Sequence, residues 1–112
     1  MIVHAVLFRP KADVTASDRQ AMFDALTVAA KEIPSVVRFQ IGTRVTHGAA
    51  YESMMTEHFP FAAMVEFDNL AGLQAYLQHP KHQKLGELFY TLLEVGLVYD
   101  YEIIDPALAS SR

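Results

Sequence analysis

The sequence contains no cysteine, so disulfides and thiolate metal centres are excluded, and the composition suits a reducing compartment. No apolar run approaches the length of about 18 residues that a membrane-spanning helix needs. The first residues, MIVHAVLF, enter an alternating apolar pattern at once, with no basic leader or small-residue cleavage site. A cytoplasmic protein with no membrane contact is expected. Positive charge is also scarce: 13 acidic against 9 basic residues give a formal charge of −4. The densest basic cluster is Lys81, His82 and Lys84, too small for a nucleic-acid surface. Neither a Gly-rich phosphate loop nor a GxSxG turn occurs.

What is present is apolar. Of 112 residues 52% are hydrophobic, a rich content for one small domain, and this points to a surface buried against a partner. One domain is expected over residues 1–104, followed by a tail, 105–112.

Residues 2–9 read as a strand with His4, Val6 and Phe8 on one face and Val3, Ala5 and Leu7 on the other. Both faces are apolar, which predicts a central strand. Thr15, with Asp18 three residues on, caps a helix that buries Met22, Leu26, Ala29 and Ile33 and stops at Pro34. Residues 36–45 form a second strand whose Arg38, Gln40 and Arg44 suit an edge. Residues 46–57 show no period and read as a long loop, a candidate lid over a pocket. A third strand is expected over 58–67, with Pro60 near its start. Asn69 or Asp68 caps the next helix, which carries Leu70, Leu73, Tyr76 and Leu77. Pro80 ends it near His79 and opens a further helix striped by Leu85, Leu88, Phe89 and Leu92. A fourth strand follows over 94–103.

The order is strand, helix, strand, strand, helix, strand. It predicts an α+β, ferredoxin-like βαββαβ fold with a four-stranded antiparallel sheet under its helices. Helices cover only one face, yet the strands are apolar on both. The bare face therefore calls for a homodimer, sheet against sheet, closed into a dimeric α/β barrel.

The stretch YLQHPKHQKLGELF, residues 76–89, holds the candidate chemistry. The bend at Pro80 can bring the Tyr76 phenol and the His82 imidazole to one cavity. Leu85 and Phe89, three and seven residues on, place the His82 ring on the apolar side, where burial keeps it neutral and basic. Tyr76 can donate to a developing oxyanion or enolate, and the pair suits proton transfer beside a carbonyl. His4, on the face of Val6 and Phe8, can join the same pocket. A structural reading competes: His79 as a helix cap, His82 bonded to a carbonyl, Tyr76 and His4 as core. The i, i+3 pair His79 and His82 has no carboxylate at metal-motif spacing, so no metal is assigned. His47 and His58 read as solvated. Asp100 and Glu66 either pair with Arg38 or Arg44 or orient a histidine, the arginine pairing being preferred. Phe23, Phe59, Phe61, Phe89 and Tyr51 can line an apolar pocket.

These residues resemble the stress-responsive A/B barrel domain family. The likeness lies in HAVLF, EIPSVVRFQIG, FDNLAGLQAYLQHPKH and LVYDYEI, and runs over residues 2–103. It implies a dimer and a pocket of the kind used by a plant polyketide cyclase of the family, which closes a linear tetraketide by intramolecular aldol condensation. The resemblance implies Tyr76 and His82 as the acid/base pair, with His4 in the same cavity and Phe23 on the pocket wall. Leu26 stands where that cyclase has a pocket tyrosine, and residues 46–57 do not match it.

Three functions follow. The first is a cyclase or isomerase that binds a small apolar or aromatic carbonyl compound and needs no cofactor, since the substrate carbonyl holds the carbanion. The second is a non-catalytic ligand-binding or stress-associated dimer. The third, by analogy of fold alone, is a small monooxygenase acting on quinol-like compounds or with haem bound through His82 or His4.

Overall fold

The computed structural model describes all 112 residues. The chain runs β1 (Ile2–Pro10), α1 (Ala16–Glu32), β2 (Arg38–Thr43), a 3-10 turn (Ala50–Met54), β3 (Phe61–Phe67), α2 (Leu70–Gln78), α3 (Pro80–Leu92), β4 (Leu93–Glu102) and a second 3-10 turn (Pro106–Ser111). The strands form one antiparallel sheet in the order β2-β3-β1-β4. β1 is central and β2 lies at an edge, as their side-chain patterns require.

The helix boundaries have local causes. The Thr15 hydroxyl accepts from the Asp18 amide at 3.0 Å and caps α1. Asn69 caps α2 through the Gly72 amide at 2.9 Å. His79 is extended, with φ −69° and ψ 139°, and its Nδ1 accepts from the Lys81 amide at 3.1 Å, so it ends α2 and caps α3 in one step. Pro80 takes the first helical position, where no amide proton is needed.

The core lies between the sheet and the helices. It is built from Val6 and Phe8 of β1, Ala63, Val65 and Phe67 of β3, Met22, Leu26 and Ala29 of α1, Leu73 and Tyr76 of α2, and Leu85 and Leu92 of α3. The opposite sheet face carries Leu7, Leu97, Tyr99 and Tyr101, all exposed.

The sheet does not close into a barrel, and the expected α/β barrel is corrected here. β2 and β4 stand at opposite ends of an open four-stranded layer, and each pairs on one side only. Closure needs the two edge strands to meet, and four strands twisted by the usual amount leave them far apart. Packing one face on another would bury side chains without pairing those edges.

The segment from 46 to 57 contains the 3-10 turn and is ordered by Glu52, whose carboxylate accepts from the His47 amide at 3.0 Å and the Gly48 amide at 3.2 Å. These bonds hold the Glu52 carboxyl below the usual range. Gly48 takes φ 82°, the left-handed region that favours glycine. Arg9 ties the end of this segment down through Glu57 at 2.9 Å and the His58 carbonyl at 2.7 Å.

Candidate functional site

Tyr76 sits in the last turn of α2, 2% exposed, with three rings around it. Phe67 lies at 5.1 Å between centroids, His4 at 5.8 Å edge-on, and His82 at 4.7 Å with the planes at 58°. The turn at His79–Pro80 brings His82 back beside Tyr76. Tyr76 and His82 therefore meet through a ring contact rather than a hydrogen bond. Beside them is an apolar cavity of about 220 Å³, whose walls include His4, Tyr76 and His82 together with Leu26, Val65 and Phe89.

Electrostatics separates the two candidate groups. Burial pushes the Tyr76 phenol up to about 12, so it stays protonated at neutral pH and keeps a proton that it can donate. The His82 imidazole is shifted below its ordinary value, first by burial and then by the positive charge that His4 can carry. The Leu77 carbonyl opposes the shift. His82 is therefore neutral near pH 7, with a lone pair available to take a proton.

His4 is 4% exposed, and its Nδ1 lies 2.6 Å from Oδ1 of Asp100, its direct partner across β1 and β4. An ionised carboxylate only accepts, so Nδ1 carries a proton and donates it, which leaves Nε2 as the ring nitrogen that Asp100 does not engage. The preferred pairing of Asp100 with an arginine is thus replaced by its alternative, orientation of a histidine. Glu66 does approach Arg38, at 3.8 Å.

The remaining candidates are dispersed. Leu26 and Phe89 line the cavity. Phe23 and Phe61 pack edge-to-face at 5.2 Å and Phe61 stacks on Phe8 at 5.5 Å, so both lie outside its walls. Phe59 lies under the Arg9 guanidinium at 5.9 Å. Together with Tyr51 it borders a separate depression of about 380 Å³ between residues 42–62 and Leu7. The candidate lid over 46–57 belongs to that depression and not to the histidine cavity. His47 and His58 are exposed, and Nδ1 of His58 is 2.7 Å from Arg44 Nη1. No three His, Asp or Glu side chains converge as a metal site would require. Leu77, Gly86 and Val98, which also line the cavity, carry no chemistry that a sequence pattern could mark.

The fold and site together define an α+β, ferredoxin-like domain with two histidines and a phenol around one apolar cavity. The chain belongs to the Stress responsive A/B Barrel Domain family, whose model matches residues 2–103. It is 22% identical over 100 residues to olivetolic acid cyclase of Cannabis sativa, covering 89% of this chain and 94% of that protein. Its fold is also that of hydroxynitrile lyase from Passiflora edulis, with a TM-score of 0.79 at 16% identity over 93% of this chain and 94% of the other. A dimeric ferredoxin-like protein of unknown function from Jannaschia superposes with a TM-score of 0.74 at 24% identity, covering 91% of this chain and 98% of that one. No helix is long and apolar enough to cross a membrane.

Proposed function

We propose that the chain is a small-molecule enzyme of cyclase or isomerase type, which moves a proton at a carbon next to a carbonyl. The observation that carries this reading is the pairing of a protonated phenol and a neutral imidazole on the wall of one apolar cavity. Tyr76 donates its O–H to the substrate carbonyl. His82 takes the proton from the adjacent carbon, and the negative charge passes to the carbonyl oxygen, where the Tyr76 hydrogen bond strengthens. In a cyclisation the resulting carbon nucleophile attacks a second carbonyl of the same molecule. The His82 imidazolium then returns its proton to the new alkoxide, so the cycle closes without net change in the protein. His4, held by Asp100, offers Nε2 to orient the substrate. The likeness to olivetolic acid cyclase supports a polyketide-like substrate.

The enzyme acts as a homodimer through the open sheet face. The exposed Leu7, Leu97, Tyr99 and Tyr101 on that face support this, as does the dimeric state of the Jannaschia protein.

The test is proton exchange. Short polyketide-like β-ketoesters are incubated with protein in deuterated water, and loss of the C–H signal and appearance of cyclised product are followed. Wild type accelerates both, while Y76F and H82Q remain folded and lose about 10²-fold or more of the rate. Rates in both variants equal to wild type would remove the assignment.

A further inference from the structure

Three residues on the cavity wall are exposed: Leu77 of α2, Gly86 of α3 and Val98 of β4. The others are buried or half-buried, so these three frame the mouth. Gly86 is the unexpected member. It stands in the middle of α3, where glycine is the poorest helix former after proline. Nothing in the backbone requires glycine there, because Gly48 is the sole residue with positive φ. Nothing in the packing requires it either: apart from its chain neighbours and the backbone of its own helix, a Cβ built on Gly86 meets no atom within 4 Å. Gly72 is different, since a Cβ there would meet the Phe67 Cβ at 3.4 Å. The fold would accept a side chain at 86, and the helix would be stronger for it.

What glycine provides at this position is space. Gly86 lies four residues after His82, hence on the same helix face one turn along. We propose that Gly86 is the size-determining residue of the substrate mouth: by withholding a side chain, it lets the distal part of a ligand seated at Tyr76 and His82 leave the cavity between Leu77 and Val98. The cavity volume supports this. A dry cavity of about 150 Å³ takes a benzene ring, whereas drug-sized ligands need about 300 Å³ or more. At about 220 Å³ the cavity holds one ring or a short chain, and anything longer must extend through the mouth. The ligand class is therefore a carbonyl compound with a compact reacting end and an apolar tail. The mouth lies on the helix side of the sheet, so pairing through the opposite face leaves it open.

The inference rests on the reading of this cavity as the substrate site, and its test is one of binding. Acetophenone and heptanophenone share a reacting end and differ in tail length. Their dissociation constants are measured by calorimetry on wild type, G86A and G86L, with melting temperatures in parallel. Both variants should melt a few degrees higher than wild type. Acetophenone should bind all three within about twofold, while heptanophenone weakens about 10-fold or more in G86L. L77A should shift the preference the other way. Equal affinity of heptanophenone for wild type and G86L overturns the proposal, as does an equal loss for both ketones or no binding of either to wild type. Tail selection without any proton exchange upholds the gate and removes the proton-transfer reading alone.

Discussion

His4 on the central strand and Asp100 on the edge strand are direct cross-strand partners, and the imidazole Nδ1 sits 2.6 Å from the carboxylate. The register of β1 against β4 thus sets the tautomer of a ring that lines the cavity. The Asp100 side chain is 43% exposed, which weakens the bond as a source of stability without removing its directional effect. D100A should cost about 1 kcal/mol in urea unfolding. It should also release the Nδ1–H tautomer, seen as a change in the nitrogen chemical shifts of His4. Unchanged shifts in D100A would show that the carboxylate does not hold the ring.

The depressed His82 value gives a pH dependence with a definite sign. The unfolded chain binds a proton to this histidine near pH 6.5, while the folded chain does so only at lower pH. Between those values the unfolded state holds more protons, so acid favours unfolding. The contribution is fully present above about pH 6.5 and is lost as pH falls toward the folded value. H82Q lacks this component, so the stability of wild type relative to H82Q should decline through that window. The acid limb of the kcat/KM profile should correspondingly lie below pH 6.5. A limb above pH 6.5 would mean that another group is the base.

Much of this site is legible along the chain because its causes are local. Pro80 forces the break, His79 supplies the cap, and the spacing of His82, Leu85 and Phe89 turns the ring inward. The extent of the cavity is not local. Periodicity assigns Phe23, Phe61 and Phe89 to inward faces, yet only the last reaches the cavity, because Phe61 packs on Phe8 and on Phe23 instead. Asp100 is a single acid on a strand, and its partner follows only from the pairing register. Barrel closure depends on where the strand edges lie, which the face pattern does not encode.

Phe67 controls Tyr76 from behind. It is fully buried and its ring centroid is 5.1 Å from that of the phenol. F67A should cost about 3–5 kcal/mol, since it leaves a void beneath the ring. F67L should keep the fold and still slow proton exchange, because a phenol shifted by even about 1 Å no longer meets the carbonyl in line. Urea unfolding and the exchange assay separate the two effects. Full activity in F67L would show that Tyr76 is positioned by α2 alone.

The open sheet face makes the last prediction. Leu7 and Leu97 are direct partners across β1 and β4, and each is more than a third exposed in the single chain. Tyr99 and Tyr101 extend the same apolar surface along β4. Facing another copy would remove these side chains from water, at roughly 25 cal/mol per Å² of apolar surface. A stable pairing buries about 1,200–2,000 Å² in total, a demand that one face of a four-stranded sheet can meet. Light scattering on wild type should give twice the 12.5 kDa chain mass at micromolar concentration. L7D should give the single-chain mass with an unchanged circular dichroism spectrum, because Leu7 lies outside the core between sheet and helices. A charge at this position is intolerable only if the face is covered. A wild type of single-chain mass, or an L7D protein that still pairs, would therefore move the partner surface elsewhere.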